Sequence, residues 1–352
     1  NPVTIGSYGN GRATFRSDTT VGHPSVMTFY DTGGVTLQDV NVYGPGRQEG
    51  DYFHAIVFVD QAEDLAETVD RYRGITLARV DAGYASGAGL KFYSPKDSAG
   101  SPDLLGYGGI TITDSVFHDN REAGVTFGHR LFGGYYPFTD VTIQRVRSHD
   151  NPGSDGLTNG HGFSIGGVDG GLIEHCISYS NGYENRNGLY GGASGFLFLD
   201  SNGLLIQNNE SFNSFVAWDD PQYLDGHGFN LDRGTTNSIL QYNYSHDNYG
   251  AGFAIIGTTP PDLSMPSLNS GNIVRFNVAE NNGARHETGE IIVYGHVNNL
   301  LIHNNTVYAR DYGTGRQSST AFRTFERDNL SYSSVRVLNN VFQTGYDVPV
   351  ML

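Results

Sequence analysis

Residues 223–234, YLDGHGFNLDRG, set Asp225 and Asp232 seven positions apart across a glycine-rich turn and a short apolar run. Three chemistries fit two such carboxylates: a reactive pair aimed at one substrate, calcium ligands, or polar caps at the ends of a strand. As a reactive pair, one stays protonated and donates to a leaving glycosidic oxygen. The other is ionised and attacks the anomeric carbon or activates water. Asp232 closes a strand, where a nucleophile is held firmly. Asp225 comes from the preceding turn as the acid/base, its carboxyl raised by neighbouring negative charge. Glu290, in GEIIVYG, is an alternative partner for Asp232. A carboxylate separation of roughly 5 Å implies retention and roughly 6.5–9.5 Å inversion.

The loop FVAWDDPQYLD adds Trp218, Asp219, Asp220 and Tyr223. Trp218 is the only tryptophan of the chain. An indole exposed beside carboxylates suits a sugar subsite, where a pyranose stacks on the ring and acids address its hydroxyls; the other reading is a loop anchor. His161 and His227 recur in identical GHGF contexts, either as a shared structural preference or as two substrate-binding donors. No HExxH or CxxC motif and no tight histidine triplet marks a zinc site.

These residues need elements to position them, and repeats supply them. GITLARVDAGYASGAGLKF (74–92) aligns with GITITDSVFHDNREAGVTF (109–127). Related copies run from GVTLQDVNVYG (34–44) to SVRVLNNVFQTG (334–345). Each unit reads as three short alternating strands, with the extra length just before the third. A unit this size cannot bury its own apolar face, so copies must stack. Three short strands per unit, at about half the length of a four-stranded propeller blade, fit a parallel β-helix much better. The pattern predicts an all-β, right-handed parallel β-helix spanning 1–352 as one domain. About ten coils at roughly 4.8 Å each give a rod some 50 Å long. Asn208, Asn243, Asn277 and Asn304 are expected to form a ladder at one bend, and the SHDN turns (148–151, 245–248) to be capped by their own side chains. AEDLAETVDRYR (62–73) is expected as a short helical insertion, acidic first and basic last. The proline-rich 258–271 is expected as a loop over the third-strand face.

Alternation separates the faces of the third strands. Phe229, Leu231, Phe163, Ile165, Ile291 and Val293 point inward. Ser164, Asn230, Asp232, Glu290, Ile292, Tyr294, Lys91 and Arg323 point out, on the side where long insertions mark function in a solenoid.

Composition narrows the partners. The formal charge is −16 and the only lysines are Lys91 and Lys96. That argues against nucleic acid and mildly against a strongly anionic polymer. No run is long enough for a transmembrane helix. The expected partner is an oligosaccharide or polysaccharide, and the oligomeric state stays open. Few lysines and much Tyr, Asn and Gly fit a secreted or periplasmic protein of bacterial type, with a leader or upstream segment expected before residue 1. Cys176, the single cysteine, reads as a buried thiol.

Across nearly its whole length, through NPVTIGSYGNGRATF, GHGFNLDRGTTNSILQYNYSHDNYGAGF and the GITITDSVFHDN coils, the chain resembles the right-handed parallel β-helix family of carbohydrate-active proteins. That superfamily includes pectate lyases and several glycoside hydrolases, and also epimerases and phage spikes. The segment DGHGFNLD resembles the strand on which some β-helix lyases carry an Asp calcium ligand and a Lys base. Here Asp232 stands where such a lysine would be, which weakens β-elimination; Arg323 or a histidine could substitute. The seven-residue spacing is similar to the catalytic pair of β-helix lacto-N-biosidases, which would imply retention with Asp225 as acid/base and Asp232 as nucleophile. The reading is therefore a glycoside hydrolase needing no cofactor, with a metal-assisted uronate lyase (calcium left open) and a non-catalytic glycan binder as alternatives.

Overall fold

The structure is a computed structural model. It describes residues 2–19, 24–47, 52–60, 71–94, 106–129, 136–155, 159–186, 192–217, 225–257, 269–283, 288–311, 319–325, 333–345 and 348–351. Among them, strands recur in threes, one to each of three sheets, interrupted only by the short strands Asn269–Ser270 and Val297–Asn298, which form a separate pair. Two parallel sheets have 11 strands and the third has 10. Register is kept from coil to coil: Phe163 pairs with Phe196, Phe196 with Phe229 and Phe229 with Phe253. The inward row of the third sheet thus becomes a column of rings. Phe163, Phe196 and Phe229 stack at 4.6 and 4.7 Å, within 2° of parallel. Each ring sits on its successor because the strand spacing matches aromatic stacking distance.

The bends are held by side chains inside the rod. Asn209, Asn243, Asn277, Asn305 and Asn340 form one ladder, each Oδ1 accepting the backbone N–H of the rung before it at 2.9–3.0 Å. The expected ladder is thus correct at Asn243 and Asn277 and one residue early at the other two positions. Asn208 and Asn304 instead take the left-handed turn conformation, each with φ 56°, which asparagine tolerates better than most residues. Turn and rung are adjacent; the rung is asparagine in all five coils, whereas the turn is asparagine at 208, 304 and 339 but Tyr242 and Phe276 in the other two, with φ 57° and 55°.

At the SHDN turns, His149 and His246 pair with the side chains of the following Asp150 and Asp247 at 2.7 and 2.8 Å, and both aspartates take the left-handed turn conformation, with φ 53° and 52°. Cys176 is buried, and burial pushes its thiol up to about 12.

The expected helix fails at its end: Tyr72 and Arg73 open the strand Tyr72–Ala78, paired in register with Tyr107 and Gly108. Tyr72 packs 5.6 Å from buried Tyr107, so ring packing overrides the helical charge pattern. Residues 62–70 lie outside the described residues. So do 258–268 of the proline-rich segment; Asn269–Ser270 pairs with Val297–Asn298 as a short parallel ladder. No helix among the described residues is long and apolar enough to cross a membrane.

Candidate active site

Asp225 and Asp232 flank the strand His227–Leu231 of the third sheet. Phe229 and Leu231 fill the core as the alternation predicts. Asn230 and Asp232 therefore lie on the outward side, and the two aspartates are close enough that Asp232's charge raises the Asp225 carboxyl. Burial is the larger cause: it pushes Asp225 to about 6 against a Gly192 backbone N–H that favours the anion. Asp232 is also raised by burial, but it is held by the Arg233 N–H at 2.7 Å and the Asn230 Nδ2 at 3.4 Å, with the Arg233 charge nearby. The two acids thus occupy unequal surroundings.

His227 is fixed beneath them. Its Nδ1 accepts the Ala251 N–H at 2.9 Å, which leaves the proton on Nε2, 3.9 Å from Asp225 Oδ1. The same device recurs at His161, whose Nδ1 accepts the Ser194 N–H at 3.0 Å, and at His54, which accepts from Ala88 at 2.9 Å. Both GHGF histidines are buried. The structural reading of that repeat explains the identical contexts, and only the Nε2–H of each imidazole is left to face other groups.

Tight backbone packing seats Asp225. A Cβ added at Gly192 would lie 2.8 Å from the Asp225 Cβ and 2.7 Å from the Val216 Cγ2. Asn230 is buried, and its Oδ1 has no hydrogen-bond partner among the described residues. A buried acceptor without a partner, beside the Asp232 carboxylate, is a group that a ligand hydroxyl or amide N–H would satisfy.

Glu290 corrects an expectation. Rather than facing solvent it is fully buried, and its two oxygens accept the N–H and Nδ2 of Asn282 at 2.8 and 2.6 Å. It terminates a second ladder, in which Asn282 serves Asn248 and Asn248 serves Ser214. Burial raises its carboxyl to about 8. A longer acid takes the place of an asparagine rung, so Glu290 is not available to pair with Asp232. Ile292, also expected exposed, is buried against Ala251 and Ala254.

The remaining residues spread along the third sheet. Register runs from Lys91 through Thr126, Ser164 and Leu197 to Asn230, four coils or roughly 19 Å. Lys91 faces outward but is ion-paired with both Glu122 oxygens at 2.9 and 3.2 Å. Arg323 lies three coils past Asn230, its guanidinium 4.4 Å over the Phe325 ring. Tyr294, partly exposed, packs 6.0 Å from the same ring. Neither Lys91 nor Arg323 lies beside Asp232. Trp218, Asp219, Asp220 and Tyr223 lie outside the described residues.

Three features escaped the sequence reading. Asp200 is buried, and burial and the Asp232 charge raise it to about 7 against the pull of Arg233. Its strand ends FLFLD, but the register sets Asp200 one residue beyond the place of Asp232, with its N–H on Arg233 O at 2.8 Å. Glu122, joined to Lys91 and 3.7 Å from His54, is held below the usual range by those two groups despite burial. A cavity of about 220 Å³ is lined by Arg121, Ser154, Asp155, Tyr183, Glu184 and Arg186.

Among the described residues no group of three or more acids, histidines or cysteines could hold a metal ion.

Comparison with known proteins is consistent with this architecture. The native lacto-N-biosidase of Eubacterium ramulus superposes with a TM-score of 0.60 at 15% identity, over 97% of this chain and 58% of that one. The chain thus spans little more than half the length of that enzyme. The A-module of the Azotobacter vinelandii mannuronan C-5 epimerase AlgE4 gives 0.50 at 16%, over 97% and 87%. The C387A variant of DFA-IIIase from Arthrobacter chlorophenolicus A6, in complex with DFA-III, gives 0.56 at 11%, over 92% and 72%. At such identities the likeness is one of fold. No curated protein matches the sequence. The family model described as "Right handed beta helix region" matches residues 104–307, more than half of the 352, so the chain belongs to the right-handed β-helix family.

Proposed function

We propose that the protein is a glycoside hydrolase acting on an oligosaccharide or polysaccharide, with Asp225 as acid/base and Asp232 as nucleophile in a retaining reaction. One observation carries this reading: two carboxylates flank one rigid strand in unequal surroundings, Asp225 raised to about 6 by burial and the Asp232 charge, Asp232 raised by burial but held by the Arg233 N–H and the Asn230 Nδ2. Unequal environments are how two like acids divide into donor and anion. In the first step the proton passes from Asp225 to the leaving oxygen as Asp232 bonds to the anomeric carbon. In the second, water replaces Asp232 and returns a proton to Asp225. The Asn230 Oδ1 accepts a hydroxyl or amide hydrogen of the sugar at the cleavage point. Two of the fold neighbours, the biosidase and the epimerase, are named for reactions on carbohydrates, which supports the substrate class.

The runner-up is a lyase acting on a uronate, favoured by the Lys91–Glu122–His54 cluster four coils away. Mass spectrometry after incubation with neutral and acidic polysaccharides separates the two. Hydrolysis adds one water per cleaved bond; unsaturated uronate products without that gain would overturn the proposal. Asp225→Asn and Asp232→Asn are each expected to lower kcat by about 10²–10⁴-fold.

A further inference from the structure

We propose that the cavity lined by Arg121, Ser154, Asp155, Tyr183, Glu184 and Arg186 is a distal subsite for one neutral sugar unit of the substrate chain. The inference rests on the hydrolase reading for its direction, because it places the bound chain along the coils from this cavity to Asp225.

Position is the first argument. Arg121, Ser154, Tyr183 and Asp225 each lie in the connection from the second to the third sheet, in four successive coils. Backbone hydrogen bonds stack those connections: Glu184 N–H donates to Pro152 O at 2.8 Å, Ala217 N–H to Asn185 O at 2.7 Å and Gly226 N–H to Ala193 O at 3.0 Å. The cavity therefore begins one coil from Asp225 and extends to three, roughly 5–14 Å along the rod. A pyranose unit is comparable in length to one coil rise, so an extended glycan keeps step with the coils.

The lining is fixed before any ligand arrives. Arg47 reaches across from an earlier coil, donating to the Tyr183 hydroxyl at 2.7 Å and lying 3.6 Å from Asp119. Asn159 is buried; its Oδ1 accepts the Ser154 N–H at 2.8 Å and its Nδ2 donates to Ser154 Oγ at 2.6 Å. Asn185, also buried, donates to Asn159 O at 2.6 Å. Preorganisation of this kind lowers the cost of binding.

Chemistry selects the ligand. Arg121 and Arg186 supply donors while Asp155 and Glu184 supply acceptors, and their formal charges cancel. Hydroxyls, which both donate and accept, satisfy such a lining; a carboxylate or sulfate would meet two anions as well as two cations. The chain's charge of −16 adds to that discrimination. At about 220 Å³ the cavity is below the range for drug-sized ligands, so it takes a single unit.

Calorimetry on the full chain tests this, using the chito-oligosaccharides from two to six units, lacto-N-tetraose, and alginate oligomers of matching length. Affinity for the neutral series is expected to rise from two to about four or five units and then level off. Combining Glu184→Gln with Arg186→Gln should weaken the longer ligands by about tenfold and leave the two-unit ligand unchanged, with Tm unaltered because both side chains are exposed. An equal loss at all lengths, absence of length dependence, tighter binding of alginate oligomers, or no binding by either series would overturn the subsite. Binding needs no turnover: Asp225→Asn should preserve the length dependence. Length-dependent binding without cleavage would therefore sink the hydrolase reading and leave the subsite standing.

Discussion

At the scale of single residues, the proposed hydrolysis depends on keeping one aspartate protonated and the other ionised. Asp225, raised to about 6, is a competent acid below that pH and loses its proton above it. Asp232 must be ionised, and its own raised value makes activity fall on the acid side. The kcat/KM profile is therefore expected to be a bell centred below neutral pH, with its alkaline limb set by Asp225. Asp225→Asn should remove that limb and still form the glycosyl-enzyme from an aryl glycoside whose phenol leaves unprotonated; Asp232→Asn should not. An unchanged alkaline limb in Asp225→Asn would assign the acid elsewhere. Gly192 sets the position of this acid. In Gly192→Ala the new methyl would press on the Asp225 Cβ and on Val216. A displacement near 1 Å costs about 10² in kcat, so activity should drop by that order in kinetic assays while the protein remains folded.

At the scale of elements, the strand and its bends do separate work. Alternation in GFNLD correctly places Phe229 and Leu231 in the core and Asp232 outside it. The same rule fails for Glu290, because the residue lies at the edge of a bend where an asparagine ladder ends and its side chain is recruited as the last rung. Glu290→Ala removes the acceptor of the Asn282 N–H and of one Nδ2 hydrogen, the other staying on Ser245 O at 2.9 Å. It is expected to destabilise by about 1–3 kcal/mol, visible as a lower urea midpoint, with kcat of the folded enzyme retained. Loss of kcat without loss of stability would return Glu290 to the catalytic machinery. The ladder was half legible, since sequence shows asparagines recurring, doubled at 208–209 and 304–305, but not which member of a doubled pair turns the chain and which pairs along it.

At the scale of the whole molecule, stacking couples every coil to its neighbours, and protonation couples to folding. Asp225, Asp200 and Glu290 are all raised by burial, to about 6, 7 and 8. A carboxyl whose folded value lies above its unfolded value binds more protons when folded. Its contribution is full below the unfolded value and is lost as pH rises through the folded one. His54, lowered to about 4 by burial, acts in the opposite direction, but only up to the ordinary histidine range. Tm is therefore expected to fall between pH 6.5 and 8, and Asp200→Asn should flatten part of that slope in calorimetric scans. A Tm that rises across this window would contradict the proposed protonation of the buried acids.

Sequence by itself determined the solenoid, because a period of three short strands can bury its apolar residues only by stacking, and register then follows from the repeated phenylalanines. It also determined that Asp225 and Asp232 bracket one strand, since that relation is local. Tertiary structure alone decided which acids share a neighbourhood: it joined Asp200 to Asp232, drew Glu290 into a ladder, and tied Lys91 to Glu122 four coils from the pair. Those outcomes depend on contacts between coils about 30 residues apart, where the side chain that reaches a given oxygen is chosen by burial and hydrogen-bond supply rather than by spacing along the chain.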